Sequence, residues 1–189
     1  MNLVGMVSPT VVNVKQYGAV GNDVIDDYQK ITDAIAACPS GGIVWLQPGR
    51  YRTSAPIVLP PNITLMGPHG KRVTKSTATA VQSYIKPLAS FSGNACIKLL
   101  DKEEGSYAAD NTGARIKNIN LDGSAVSGTI AGIRASGLVH DVQLENVNIY
   151  QFPHNGLTTT SFTRGDASVV WPYSWTLINC IAFECANIG

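Results

Sequence analysis

Between Leu157 and Trp175 the sequence gathers Phe162, Arg164, Asp166, Trp171, Tyr173 and Trp175, and two of its three tryptophans fall within five positions. Loop aromatics beside an Arg and an Asp suit sugar recognition, because a pyranose face stacks on a ring while its hydroxyls bond to charged side chains. Arg164, Asp166, Trp171, Tyr173 and Trp175 are therefore the candidate glycan-binding residues. The other use of the WPYSW segment is packing, back onto its own framework or onto a neighbouring subunit. Elsewhere the chemistry is sparse. Beyond residue 110 the acids are Asp122, Asp141, Glu145, Asp166 and Glu184, without pairing, and Asp122 in LDGS and Asp141 after His140 read as turn residues. Cys38, Cys96, Cys180 and Cys185 lack CxxC spacing, so neither a metal site nor a redox motif is expected and the thiols read as small buried groups.

What must position these residues is a chain of 189 residues with 14 Lys plus Arg against 13 Asp plus Glu, a formal net charge of +1. Only 14% of its residues are charged, against about 25% in typical globular proteins. Nucleic acid and anionic membrane partners are disfavoured, because both require a concentrated basic stripe. At 44% hydrophobic, the chain has enough apolar material for a real core. MNLVGMVSPT lacks a charged n-region and a long apolar run, so no signal peptide is expected at this start, and no stretch matches the length of a membrane span.

The spacing predicts one helix, over about residues 26–38. Asp26 or Asp27 can cap it, Tyr28, Ile31, Ile35 and Cys38 share a face, and Pro39 with Gly41 and Gly42 stops it. Before it, Val11 to Val14 reads as a strand and KQYGAVGND as a turn, with residues 1–10 an irregular lead-in. After Gly42 come short strands at Ile43–Leu46, Ile57–Leu59 and Ile63–Met66, bounded by Pro and Gly.

Self-comparison decides among the all-β architectures. Ile116-Lys-Asn118-Ile-Asn-Leu121, Leu144-Glu-Asn146-Val-Asn-Ile149 and Leu177-Ile-Asn179-Cys-Ile-Ala182 share one pattern, and Gly132-Ile133 recurs as Gly156-Leu157 and again at Gly189. Two markers with a shared irregular period indicate stacked coils, an all-β solenoid of parallel β-helix type, right-handed by the rule for parallel crossovers. The domain is expected to run over residues 11–189, with coils from about residue 43, a helical cap over its first end, and an incomplete last coil. Asn118, Asn146 and Asn179 are then a structural ladder at a sharp corner, where Asn tolerates the left-handed conformation.

The opening, with Tyr17-Gly18-Ala19, Asp26-Asp27, Ala34-Ile35, Gly41-Gly42, Pro48-Gly49-Arg50-Tyr51 and Ile63 to Gly67, resembles the entry segment of the pectate-lyase-like right-handed β-helix superfamily. LINCIAFECANIG resembles one of its coils. That superfamily includes polygalacturonases, pectate-lyase-3-type proteins and many bacteriophage tailspikes, so the resemblance implies the fold more than the activity. The polygalacturonase pattern has an Asn-x-Asp strand, an Asp pair, a Gly-His-Gly and a late Arg-x-Lys. Here the one Asp pair sits at the helix start, His69, His140 and His154 are flanked otherwise, and Arg115-Ile116-Lys117 comes before any candidate acid. A calcium cage of the lyase kind needs six to eight oxygen ligands, and acids are too few for one. No catalytic residue and no cofactor is assigned. The expectation is a virion-associated module of tailspike or tail-fibre type, a homotrimer or a partner of other virion proteins, structural and able to bind a cell-surface polysaccharide. The alternative is a secreted polysaccharide lyase or glycoside hydrolase whose catalytic coils lie beyond residue 189.

Overall fold

The computed structural model describes residues 8–68, 82–99, 111–163 and 169–186. Its strands fall into successive coils. The first coil runs β1 (Val11–Asn13), β2 (Asn22–Asp26) and helix α1 (Tyr28–Ala37); the second runs β3 (Ile43–Trp45), β4 (Gly49–Thr53) and β5 (Ile57–Leu59). The third has β6 (Thr64–Met66), β7 (Ser83–Pro87) and β8 (Ala95–Leu99); the fourth has β9 (Asn111–Thr112), β10 (Arg115–Lys117), β11 (Asn120–Asp122) and β12 (Ala131–Ser136). In the fifth are β13 (Val139–Glu145), β14 (Asn148–Tyr150) and β15 (Leu157–Thr160). A small antiparallel hairpin, β16 (Phe162–Thr163) with β17 (Val169–Val170), leads to β18 (Tyr173–Ile178) and β19 (Ile181–Phe183) of the sixth.

Equivalent strands pair in parallel from coil to coil, making three sheets. The first is β1-β3-β6-β10-β13-β18 with β9 on β13, the second is β2-β4-β7-β11-β14-β19, and the third is β5-β8-β12-β15. This is a parallel β-helix. Parallel register stacks like on like. Val44, Leu65, Ile116 and Leu144 form one buried column, Tyr51, Ile85, Leu121 and Ile149 a second, and Ile57, Ile97 and Ile133 a third. Together they fill the bore, where each aliphatic side chain adds about 1.5–3 kcal/mol of burial.

The coils begin earlier than residue 43. β1 and β2 already pair with β3 and β4, and α1 packs against β5, occupying in the first coil the place that a third-sheet strand takes in the next. Ile31, Ala34 and Ile35 are buried beneath it. Its N-terminus also departs from the expected cap. Asp27 makes no side-chain cap bond; it is fully buried and accepts the Val20 and Gly21 N–H groups at 2.6 and 2.8 Å, while Asp26 takes the Tyr28 N–H at 3.0 Å. The segment after β1 is a 3-10 turn, Val14–Tyr17, closed by Gly18 at φ 89°.

Two corners are built from left-handed residues. Asn118, Asn146 and Asn179, at φ 51–59°, turn the first sheet into the second. Asn146 Nδ2 donates to Asn118 Oδ1 at 2.9 Å and Asn179 Nδ2 to Asn146 Oδ1 at 3.3 Å. At the entry to the first sheet, register places Gly41, Asn62, Gly113, Asp141 and Ser174 in one column, all with φ between 53° and 82°.

Candidate functional site

A β-helix presents side chains outward on every sheet, so a site is a patch of outward columns. On the third sheet, Val58, Lys98, Arg134 and Thr158 stand in register. The corner that feeds β15 carries His154 and Asn155. Among the described residues, four buried polar atoms without a hydrogen-bond partner lie in this one stretch: His154 Nδ1, Asn155 Oδ1, Thr158 Oγ1 and Thr160 Oγ1. An unsatisfied buried donor or acceptor costs about 1–3 kcal/mol, so such a concentration marks a place for a water or a ligand atom. The backbone is tight here because the second and third sheets approach closely. A Cβ on Gly132 would lie 2.3 Å from Ile149 Cγ2, and one on Gly156 2.7 Å from the Ala182 Cβ. Hence Gly in both repeats.

On the second sheet the outward columns are Arg50, Tyr84, Asn120 and Asn148, and beside them Arg52, Lys86, Asp122, Tyr150 and Phe183. Asn148 donates to Asn120 Oδ1 at 2.9 Å, and Asn120 donates to the Ser83 carbonyl at 3.3 Å. Arg50 lies 4.9 Å over the Tyr84 ring, and Asp23 bridges Arg50 and Arg52 at 3.7 and 3.4 Å. Lys86 Nζ is 3.3 Å from Asp122 Oδ2, and that carboxylate is only 6% exposed. Burial pushes the Asp122 carboxyl up, but the Ser124 hydroxyl and N–H and the Lys86 charge outweigh it, leaving the group below the usual carboxylate range. Tyr150 is raised by burial and by the charge of Asp122, to which it is hydrogen-bonded. The phenol stacks on Phe183 with centroids 5.3 Å apart. This network is internally paired and largely sunk, with Arg50 and Asp23 its members most open to solvent among those paired.

The aromatic segment divides. Trp171 is 61% and Tyr173 54% exposed, whereas Trp175 aligns with buried Val142, packs on the core and donates its Nε1–H to the Val139 carbonyl at 3.2 Å. Arg164 and Asp166 lie outside the described residues, as do Gly189, residues 69–81 and residues 100–110. Tyr173 instead meets His140, with rings 4.9 Å apart and 7° from parallel, and His140 Nδ1 is 2.8 Å from Asp141 Oδ2. Asp141 and Asp122, read from sequence as turn residues, thus each hold a polar cluster together. The 28-residue repeat aligns Asp122 with Tyr150, yet its partner Lys86 lies in a coil of a different length, which hides the pair from the repeat. The thiols of Cys38, Cys96 and Cys185 are buried and that of Cys180 partly so, all four without disulfides, and burial raises each above the ordinary thiol range.

The fold has known counterparts. The A-module of the mannuronan C-5 epimerase AlgE6 of Azotobacter vinelandii superposes with a TM-score of 0.57 at 20% identity, over 92% of this chain and 42% of that one. ORF18 of Geobacillus virus E2 does so with a TM-score of 0.51 at 17% identity, over 92% and 42%. The catalytic unit of a GH87 α-1,3-glucanase from Streptomyces thermodiastaticus gives 0.52 at 19%, over 94% and 31%. The chain therefore spans less than half the length of each. No curated protein matches it in sequence. Residues 11–170, which hold the first five coils, match the family model, and the chain belongs to the rhamnogalacturonase A/epimerase, pectate lyase-like family.

Proposed function

We propose that this chain is a virion-associated β-helix module of tailspike or tail-fibre type, whose third-sheet face holds a host-cell polysaccharide. One observation carries the site: the unsatisfied polar atoms of His154, Asn155, Thr158 and Thr160 gather on one stretch beside the outward Lys98–Arg134–Thr158 column. A polymer rich in hydroxyls supplies both donors and acceptors to such a face. The hairpin that follows Thr160 leads to the exposed Trp171 and Tyr173, rings on which a sugar face can stack. The virion reading is supported by the likeness in fold to Geobacillus virus E2 ORF18, and the polysaccharide reading by the family and by relatives in fold named for acting on mannuronan and α-1,3-glucan.

Replacing Thr158 and Thr160 by Val tests this. Each swap removes a buried hydroxyl that lacks a partner and keeps the side-chain shape, so the thermal midpoint holds or rises. Retention on host polysaccharide in affinity electrophoresis falls. Unchanged retention by the double variant refutes the third-sheet site. Release of new reducing or unsaturated ends from the polymer would favour the lyase or hydrolase reading. Sedimentation of the purified chain, with a trimer expected, tests assembly, and mass spectrometry of purified particles tests the virion location.

A further inference from the structure

Outside the third-sheet face, a side-chain cluster reaches solvent at the left-handed corner entering the first sheet. Asp141 Oδ1 accepts from the Ser174 hydroxyl at 2.8 Å. Its Oδ2 faces His140 Nδ1 at 2.8 Å, with the Thr112 hydroxyl at 3.5 Å. Because an ionised carboxylate only accepts, His140 Nδ1 carries the proton. Thr112, His140 and Tyr173 are in register on three adjacent coils, so the imidazole is held between a hydroxyl on one side and a parallel phenol ring on the other. The adjacent column of Asp141 and Ser174 continues downward through Gly113 to Asn62. A Cβ on Gly113 would lie 2.6 Å from Asn62 Oδ1, so the glycine leaves that amide its place along the corner.

The carboxylate is fixed but not consumed. A carboxylate has about four lone-pair sites, and the two close bonds to Ser174 and His140 use one on each oxygen. Asp141 keeps one acceptor site on Oδ1 and, on Oδ2, one engaged only by the long 3.5 Å contact from Thr112, while its side chain is 60% exposed. Hydrogen bonds from His140 and Ser174 hold its carboxyl below the usual carboxylate range, so the acceptor pair is present at neutral pH. Its backbone, at φ 53°, and that of Ser174, at φ 57°, belong to the framework of the corner rather than to a free loop. Two parallel acceptors on a rigid, pre-ionised carboxylate match two adjacent hydroxyl donors.

We propose that Asp141 is the centre of a second carbohydrate subsite, one that binds a vicinal diol of a neutral sugar. His140, Ser174 and Thr112 orient the carboxylate, and the Tyr173 ring forms the wall beside it. The proposal rests on the polysaccharide reading above and adds a subsite at the corner where β13 and β18 enter the first sheet. It also assigns to Asp141 the acidic role that the sequence alone offered to Asp166.

The test is retention of the whole chain on mannan and on dextran, each used intact and after periodate cleavage and borohydride reduction, which destroys vicinal diols. The wild type is expected to be retained on at least one intact polymer and released from its oxidised form. Asp141→Asn keeps a residue type that tolerates the left-handed backbone, as Asn146 does at the other corner, so its melting temperature stays within a few degrees. Its retention falls about ten-fold, the scale of one lost charged hydrogen bond. Ser174→Ala, which frees Asp141 to rotate, falls by less. Equal retention of Asp141→Asn and wild type overturns the subsite, as does equal retention on oxidised polymer. If the Thr158→Val, Thr160→Val protein loses binding while Asp141→Asn does not, this subsite fails and the third-sheet reading stands. If wild type binds neither polymer, the diol subsite is overturned whatever charged polymer the third sheet holds.

Discussion

At the residue scale, the fold depends on a few side chains that do two jobs at once. Asn146 supplies a left-handed corner and both ends of an amide ladder. Asn146→Ala loses the ladder bonds and forces alanine into a conformation that costs about 1–2 kcal/mol. A total loss of about 2–3 kcal/mol is expected in urea denaturation, and Asn146→Gly, free of the conformational cost, loses less. Equal losses would show that the corner strain is absent. Lys86 and Asp122 form the most enclosed ion pair described, and Lys86→Met leaves the carboxylate buried without its cation. The expected cost at pH 7 is about 3 kcal/mol. Asp122 sits below its unfolded value in the folded chain, so its contribution is full above the ordinary carboxylate range and vanishes as pH falls through the depressed folded value. Wild type and Lys86→Met should therefore converge in stability as pH falls through that depressed folded value. A gap that stays constant from pH 7 downward would assign the loss to packing instead. Sequence spacing made the asparagine column legible because its members recur on near-equal periods. Lys86–Asp122 was illegible because its two coils differ in length, and the His140–Asp141 cluster because Thr112, His140 and Tyr173 share the asparagine spacing but not a residue type.

At the element scale, α1 closes the first end of the bore and stands in line with the third sheet. Its apolar face was readable from Ile31, Ile35 and Cys38 at helical spacing. Its true start was not, because Asp27 is drawn into the core by two N–H groups of the preceding turn, a tertiary demand that outranks capping. Ile31→Ala opens a cavity under the helix and costs about 2–5 kcal/mol. Amide exchange should quicken first in β1 and β5, the strands that α1 covers. Exchange that quickens uniformly through all three sheets would show that the cap and coils unfold as one unit. The early start of the coils also escaped the sequence. Asn22–Asp26 is largely exposed, Val24 and Ile25 included, with no inward face to mark it, and only parallel pairing with β4 makes it a strand.

At the scale of the whole molecule, the near-neutral, charge-poor composition follows from the architecture. Parallel coils set each residue beside its equivalent, so like charges would repel along a column. Where like charges do stand in register, as Arg52 and Lys86 do, carboxylates offset them, Asp23 on Arg52 and Asp122 on Lys86, and opposite charges meet across coils, as Lys117 and Glu145 do at 2.8 Å. The same stacking makes the outer faces long, straight surfaces, to which an extended polymer can run alongside. A partner of that shape binds through many weak, spaced contacts, so truncating one hydroxyl weakens retention without abolishing it, and combined variants weaken it further.

The most direct measurement is a crystal structure of the chain soaked with oligosaccharides from whichever host polysaccharide retains it. The account predicts sugar density along Lys98, Arg134 and Thr158, with hydroxyls reaching the polar atoms of His154, Asn155, Thr158 and Thr160. Density confined to another face, or a bare third sheet at saturating oligosaccharide, would contradict it.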